Sequence, residues 1–156
     1  CHQGPALNKM EYQAVGVNDL YDLPELTFRT GPSDKRNFGR GGFTGRVEDN
    51  FKFKVPQLYN LKNVGFYFHG ASKRSLREVV QYFNDGVAEN ERVPPSHIST
   101  FFRPLNLTEK EVDALTDFIE NGLYDPNTAR FLPASTMSGF CFPNNDSFSQ
   151  EDMGCH

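Results

Sequence analysis

Two segments of the chain repeat apolar residues with the period of an α-helix. The first begins at Ser75 in a Ser-Leu-Arg-Glu capping box, where the Ser hydroxyl accepts a hydrogen bond from the Glu backbone and the Glu side chain bonds back. The apolar positions that follow are spaced i, i+3, i+4 and i+7, and they are Leu76, Val79, Val80 and Phe83. Asn84-Asp85-Gly86 ends the pattern, so the sequence predicts an amphipathic helix that stops there.

The second helical segment begins with another capping box, Thr108-Glu109-Lys110-Glu111. Its apolar stripe ends at Asn121-Gly122 and consists of Val112, Leu115, Phe118 and Ile119. The acidic residues of this segment are predicted to form its solvated face, and they are Glu109, Glu111, Asp113 and Asp117. Asp125-Pro126 has the pattern of a cap and a first helical position, which predicts a short third helix through about Phe131.

The remaining segments carry weaker patterns. Residues 12–17 alternate and predict a brief strand or an extended loop, and residues 51–56 alternate up to a proline that favours extended chain. Residues 31–50 are rich in glycine and charged side chains, which predicts a long surface loop. Because no run predicts a sheet, the expected fold class is mainly α with long loops.

Length and charge narrow the range of functions. A chain of 156 residues forms one domain, or a domain with an extension, and can bury a core. Its formal charge of −4 disfavours the binding of a polyanion such as nucleic acid. The Arg-Gly segment at 36–46 is too short to change this, so we expect no nucleic-acid partner. No stretch approaches the roughly 20 apolar residues that a membrane span needs.

The aromatic content is unusual, with fifteen Phe and six Tyr but no Trp. Aromatic rings bury large areas, so a small domain can use them to enclose a flat apolar cofactor. An ordinary aromatic core explains the same composition, and both interpretations remain open at this point.

The three cysteines fall into two groups. Cys141 and Cys155 lie in a tail rich in Pro, Asn, Ser and Asp, where a disulfide would staple an otherwise unsupported segment and add about 3 kcal/mol of stability in the loop-entropy model. Such a bond requires an oxidising compartment. Cys1 is left over, and His2 follows it directly.

Cys1-His2 matches the last two residues of a C-x-x-C-H motif. That motif attaches a c-type haem through two thioether bonds, and its histidine takes an axial position on the iron. An ordinary cysteine at a processed N-terminus is the alternative, and the two residues alone favour it.

Motifs further along the chain favour the haem interpretation. In order they are Phe53-Lys54-Val55-Pro56-Gln57-Leu58-Tyr59-Asn60, Phe66-Tyr67-Phe68-His69-Gly70, Ser75-Leu76-Arg77-Glu78-Val79-Val80 and the segment from Leu107 to Leu115. Their order and spacing resemble the di-haem cytochrome c peroxidase and MauG family, whose motifs are of the kind FKVPxLRN, PYFHDG and (S/T)LEEVV. The opening Cys1-His2-Gln3-Gly4-Pro5 is similar to the start of the family's second haem domain, and the tail through Cys155 is similar to an extension of some members.

This resemblance implies a cytochrome c-like haem domain over 1–124 and a disulfide-stapled extension over 125–156. The domain would be the C-terminal one of a periplasmic enzyme with two haems, and its N-terminal haem domain would lie upstream. His2 is then the proximal ligand of haem c and Cys1 the second thioether cysteine, with the first cysteine expected three residues upstream. The N-terminal haem of such enzymes reduces peroxide, and the C-terminal haem relays electrons from a small cytochrome or cupredoxin. Calcium between the domains and a homodimer are further expectations.

The distal haem position departs from the family pattern. The peroxidases commonly place a Met at the position of Phe83, 14 residues after His69, and Phe cannot bind iron. MauG-type relatives use a Tyr, which makes Tyr82 the candidate distal ligand, although it lies about 100° from Phe83 around the helix. A haem with no ligand on that side is the alternative. Tyr59 and Phe66 also replace the Arg and Pro of the family motifs.

Other side chains have both a functional and a structural interpretation. The resemblance places His69 near the haem edge as a hydrogen-bond partner, and a structural role explains it equally well. Lys54 and Arg40 could meet haem propionates or be solvated charges. His97 is expected to be exposed in a loop, and the weaker sulfur or nitrogen ligand candidates are Met10, Met137, Met153 and His156.

Four functions follow from these patterns. The motifs favour electron relay by the C-terminal haem domain of a di-haem peroxidase. A MauG-like enzyme that oxidises a protein substrate is indicated if Tyr82 binds the iron, and a mono-haem electron-transfer domain is indicated if no second haem motif precedes Cys1. A disulfide-stapled extracellular binding module without haem explains Cys141 and Cys155 but leaves the central motifs unexplained.

Overall fold

Helices are the main regular structure in the described part of the chain, and two of the three α-helices found there begin at capping boxes. The structure, a computed structural model, describes residues 1–22, 30–126 and 137. Helix α1 spans Arg40–Thr44, α2 spans Leu76–Asp85 and α3 spans Glu109–Asp117, from which a π-helix continues over Phe118–Gly122. Short 3-10 helices cover Leu20–Asp22, Lys35–Phe38, Val47–Asp49 and Pro95–His97.

The predicted ends of α2 and α3 are confirmed. Ser75 caps α2 and Thr108 caps α3, and in both helices the third residue, a glutamate, completes the reciprocal hydrogen bond. Gly86 ends α2 in the left-handed conformation that favours glycine at a helix C-terminus.

Two strands form a short ladder that the sequence did not predict as a sheet. β1, Tyr12–Gln13, pairs antiparallel with β2, Phe53–Lys54, so that Tyr12 lies opposite Lys54 and Gln13 opposite Phe53. Each strand lies in one of the two segments whose alternation predicted extended chain. A strand of two residues is too short for its hydrophobic pattern to distinguish a paired strand from a loop.

The segment over 31–50, predicted to be a long loop, contains α1 and two of the 3-10 helices. Asn37 anchors it: the side chain is fully buried, donates to the Gly31 carbonyl at 2.9 Å and accepts from the Leu20 backbone at 3.3 Å. The glycines allow close approach, since a Cβ on Gly41 would lie 2.0 Å from the Asn50 side chain. The prediction of an irregular loop was therefore wrong.

Helices α2 and α3 pack against each other, and Arg77 of α2 bonds to Glu109 and Asp113 of α3. Val112 is fully buried. Leu115 and Phe118 are exposed, the latter at 54%, so half of the predicted apolar stripe of α3 is not covered within the described residues. The acidic residues of α3 are exposed, as predicted.

The core of the described residues includes two clusters of buried side chains. Ala14, Phe51 and Val93 form the first, and Val17, Tyr82 and Phe102 form the second. Ile98 packs against both clusters and so joins them.

A segment over residues 15–19, here called the strap, crosses to the second half of the chain. Each of four residues in it bonds to a residue about 70 positions away: Val15 to Tyr82, Val17 to Asn90, Asn18 to Glu89 and Asp19 to Arg92. The strap therefore fixes the segment that follows Cys1 and His2 against α2 and the chain after it.

Residues Cys1–Tyr124 form one compact unit and Asp125–His156 a second. In the second unit the described residues are Asp125, Pro126 and Met137, so the predicted third helix and the predicted Cys141–Cys155 disulfide lie outside the described residues. Among the described helices none is long and apolar enough to cross a membrane.

Candidate functional site

The first nine residues form a turn that orients the imidazole of His2. The His2 Nδ1 lies 3.0 Å from the Leu7 carbonyl oxygen, and the Lys9 backbone donates to the Cys1 carbonyl at 3.0 Å. Leu7 has a φ of 46°, an uncommon left-handed conformation for leucine. Strain of this kind persists where surrounding contacts hold the backbone, and it is often found at functional sites.

The bond to Leu7 decides which nitrogen of His2 is available. A carbonyl oxygen only accepts hydrogen bonds, so in the neutral ring Nδ1 carries the proton and Nε2 keeps a free electron pair. A metal-binding histidine usually has this arrangement, with one ring nitrogen bonded to a backbone carbonyl and the other bound to the metal. Cys1, half-buried beside it, is a free thiol. The pair thus fits the attachment of a haem c.

Tyr59 supports this turn from another part of the chain. Its hydroxyl donates to the Pro5 carbonyl at 2.8 Å. Tyr59 occupies the place of the arginine in the family motif, so the replacement has a structural role here.

His69 lies in a second strained turn. Phe68 has a φ of 69° and Ala71 a φ of 50°, and the turn is closed by an isolated bridge between Tyr67 and Lys73. The His69 ring stacks on Phe53, with 4.3 Å between ring centroids. The turn residues before and after His69, together with Phe53 of β2, therefore fix the position of the ring.

The Nε2 atom of His69 is buried and has no hydrogen-bond partner. Burial lowers the pKa of His69, and the nearby charge of Asp19 and a hydrogen bond to the Arg36 backbone oppose that effect. The imidazole is therefore neutral at pH 7. A buried nitrogen without a partner costs free energy, so this atom is suited to meeting a bound group.

Gly70 brings the His69 turn against the strap. A Cβ on Gly70 would lie 2.4 Å from the Asn18 carbonyl oxygen and 2.8 Å from that of Asp19. Only a residue without a side chain allows this approach. The contact fixes the position of His69 relative to the segment that leads back to Cys1 and His2.

Tyr82, the candidate distal ligand, has its hydroxyl in the core. The residue is 6% exposed, and the hydroxyl donates to the Val15 carbonyl at 2.6 Å. Its ring contacts Phe68 and Phe102, each at 5.1 Å between centroids. Burial raises the pKa of the phenol, which disfavours the phenolate that binds iron. Ligation by Tyr82 remains a prediction, one that requires this hydrogen bond to break.

An ion pair that the sequence did not predict stands beside Tyr82. The Lys73 ammonium lies 5.0 Å from the centre of the Tyr82 ring and bonds to the Glu89 carboxylate. Glu89 also accepts from the Asn18 backbone at 3.1 Å and from the Ser72 hydroxyl. The carboxylate therefore joins the strap, the His69 turn and the chain after α2.

A second unpredicted pair holds the other end of the strap. Asp19 is 1% exposed and accepts from Arg92 at 2.6 Å, and Arg92 also donates to the Pro32 carbonyl at 2.7 Å. Burial raises the pKa of Asp19, and hydrogen bonds to Asn90 and Arg92 together with the Arg92 charge oppose it. No local pattern signals either pair, because the partners are far apart in sequence.

The remaining candidates lie at the edge of this arrangement. Lys54 is exposed on β2, and Arg40 is bound to Asp49 at 3.2 Å. His97 is half-buried and its Nδ1 is buried without a partner, so the prediction that His97 is exposed was wrong. The methionines within the described residues, Met10 and Met137, are exposed. In the same residues no group of three or more His, Cys, Asp or Glu side chains could hold a metal ion.

β1 and the strap connect the candidate residues. The chain runs from Cys1 and His2 into β1, which pairs with Lys54, and then into the strap, which contacts Gly70 and Tyr82. Lys54, Gly70 and Tyr82 therefore contact one continuous segment, residues 12–19, which follows Cys1 and His2 in the chain.

No protein-family model matches the chain. The cytochrome-c peroxidase IdrP1 of Denitromonas iodatirespirans is 29% identical over 77% of this chain, and the protein of the same name from Pseudomonas sp. (strain SCT) is 27% identical over the same share. The alignment covers 35% of each relative. The cytochrome c551 peroxidase of Nitrosomonas europaea is 32% identical over 52% of this chain and 21% of its own length.

A solved structure has a similar fold. The crystal structure of a MauG-like protein associated with microbial copper homeostasis aligns with a TM-score of 0.58 and 23% identity, over 76% of this chain and 33% of that one. The likeness confirms a helix-rich fold of the MauG-like type with few strands. The chain spans about a third of the length of the relatives that it matches over most of its own length.

Proposed function

We propose, on the premise that this chain belongs to the di-haem cytochrome c peroxidase and MauG family, that it is the haem c domain through which a larger peroxidase receives electrons. The free thiol of Cys1 beside His2, whose Nε2 is left unprotonated by the bond to Leu7, carries the proposal. The names of the relatives, cytochrome-c peroxidases, supply the class of reaction.

Cys1 and His2 would hold the cofactor in this domain. A haem c, when bound, supplies a redox centre that takes up and releases one electron at a time. Leu7 holds the His2 ring in one orientation and one tautomer. The Nε2 of His69, buried and without a partner, would meet the edge of the group as a hydrogen-bond acceptor, because the ring is neutral and its other nitrogen donates to the Arg36 backbone. Lys54 is a candidate partner for a propionate.

The aromatic cluster around Tyr82 would limit water near this group. Phe68, Phe83 and Phe102 surround the Tyr82 ring, and Lys73 closes its other face. A low-polarity surrounding strengthens the effect of each nearby charge on a redox centre. The Lys73–Glu89 pair would therefore help to set the potential of the domain.

The other parts of the proposed enzyme lie outside this chain. Peroxide would be reduced in an N-terminal haem domain, and the electrons would come from a small cytochrome or cupredoxin. The compartment would be the periplasm, where haem c proteins meet such donors. Calcium between the domains and a homodimer belong to the same proposal.

A second candidate is a MauG-like enzyme that oxidises a protein substrate. Phe83 occupies the place of the usual methionine ligand, and Tyr82 stands beside it in the core. The likeness of the fold to a MauG-like protein is compatible with it. Ligation of the iron by Tyr82 would favour this candidate over the peroxidase.

Replacement of the attachment residues tests the proposal. In the full-length protein, Cys1→Ala and His2→Gln should each lower the haem c content by one haem per chain and abolish peroxide turnover with a reduced small cytochrome. His97→Gln is the matched control, since His97 is also a half-buried histidine, and it should leave both unchanged. A full haem content in the Cys1 and His2 variants would contradict the proposal. Turnover of a protein substrate without turnover of peroxide would favour the second candidate.

A further inference from the structure

The segment over 35–54, here called the basic segment, has a charge opposite to that of the rest of the chain. It holds six Lys or Arg residues and two Asp or Glu residues, a formal charge of +4. The whole chain carries −4, so the other residues together carry −8. A positive region on an acidic protein attracts negatively charged molecules and helps to orient them.

The backbone of the basic segment is held by its own contacts. Phe51 donates to the Phe38 carbonyl at 2.9 Å and Arg40 to the Lys52 carbonyl at 2.8 Å. The Thr44 hydroxyl donates to Asp49 at 2.9 Å, and Arg40 bonds to the same carboxylate. The segment therefore has a defined shape before any partner binds, which lowers the entropy cost of binding.

Apolar side chains of this ordered segment point into solvent. Phe43 is 94% exposed and Val47 is also exposed. Two basic residues flank them: Arg46 lies between the two in sequence, and the Lys35 backbone lies against Gly42, where a Cβ would be 1.9 Å from the Lys35 carbonyl oxygen. We call Lys35, Phe43, Arg46 and Val47 the docking face.

An exposed phenylalanine with basic neighbours has the composition of a protein-binding centre. Aromatic residues and arginine dominate the energetics of such centres, and surrounding charges select the partner and speed its approach. Nucleic acid fits less well, because Glu48 and Asp49 interrupt the positive charge.

We propose that the docking face binds an acidic protein surface with an apolar centre, and that the small electron donor of the proposed function is that partner. The second half of this statement rests on the proposed function; the first half does not. The basic segment also contacts the part of the chain that follows the proposed haem site. Arg40 lies 4.4 Å from the centre of the Tyr12 ring in β1, and β1 follows the turn of Cys1 and His2.

Electron donors of opposite charge test the proposal in the haem-loaded full-length protein. The probes are an acidic and a basic small c-type cytochrome of similar potential. The acidic one should have the lower KM, and its KM should rise with salt. Phe43→Ser with Arg46→Glu should raise that KM about tenfold or more, the loss typical of a binding hot spot, while haem content stays full. Arg46→Lys should keep most of the affinity, since the charge remains.

Phe101→Ser with Arg103→Glu is the matched control, because Phe101 is 65% exposed beside an exposed arginine in an otherwise acidic part of the chain. This variant should leave the KM for the acidic cytochrome unchanged. Equal effects of both double variants, or a preference for the basic cytochrome, would overturn the proposal. So would a DNA oligonucleotide that binds as tightly as the acidic cytochrome at the same salt concentration.

Failure of the proposed function gives a different result. The protein would then show no peroxide turnover with any reductant. Direct binding of the acidic cytochrome, measured by calorimetry, would still weaken in the Phe43 and Arg46 variant if the docking face is correct. Absence of binding with normal peroxide turnover would overturn the docking face and leave the proposed function in place.

Discussion

Replacing Tyr82 with phenylalanine removes one hydroxyl and leaves the rest of the ring in place. The ring contacts with Phe68 and Phe102 remain, and so does the Lys73 ammonium above the ring. The Val15 carbonyl loses the donor that now lies at 2.6 Å. A part-buried carbonyl without a partner costs about 1–2 kcal/mol. For a domain of this size that loss lowers the Tm of the domain's own unfolding transition by roughly 3–6 °C.

Thermal unfolding of the full-length, haem-loaded protein measures this loss, and the haem absorption spectrum is recorded on the same samples. Tyr124→Phe is the control, because its hydroxyl is exposed and lies 3.4 Å from the Asn63 side chain. We expect the Tyr82 variant to lose stability and keep its spectrum, and the control to change neither. An unchanged Tm would refute the role of the hydroxyl in the core. A changed spectrum would show that Tyr82 leaves Val15 and binds the iron.

Three further predictions concern the same unit. Gly70→Ala should cost about 1–3 kcal/mol in urea unfolding, because its Cβ would meet the Asn18 carbonyl at 2.4 Å, whereas Gly65→Ala meets nothing within 4 Å and should be neutral. The pKa of His69 is lowered in the folded state, so the unfolded chain binds more protons, and the free energy of unfolding should fall as pH drops below about 6.5. His69→Asn should flatten that slope, and an unchanged slope would contradict the lowered pKa. Val112→Ala should cost about 2 kcal/mol, since the side chain is fully buried, and a loss under 0.5 kcal/mol would contradict its place in the core.

Helix ends were predictable because capping is local. Ser75 and Glu78, like Thr108 and Glu111, lie three positions apart and satisfy each other without any other part of the chain. The Phe66–Gly70 motif around His69 is local as well. These features could be found without knowing what each helix packs against.

Burial of the helix faces was harder to predict. The apolar spacing of α2 points to Phe83, yet Tyr82 is the more buried residue, because the strap packs along a second side of the helix. The stripe of α3 shows the opposite case, since Leu115 and Phe118 are apolar but exposed. A periodic pattern identifies an apolar face and carries no information about its partner.

The ion pairs of the site were not predictable, because each depends on contacts between distant residues. Asp19 and Arg92 are 73 positions apart, and Lys73 and Glu89 are 16 apart. Only the folded chain shows that these charges compensate each other's burial.

The strap also implies an order of assembly. Its four anchors span about 70 residues each, whereas the capping boxes of α2 and α3 close within three. Closing a long loop costs more chain entropy, and contacts between distant residues form later than local ones. We therefore expect the helices to form first and the strap to dock last. Cys1 and His2 precede the strap, so the segment suited to covalent attachment stays accessible until the strap docks.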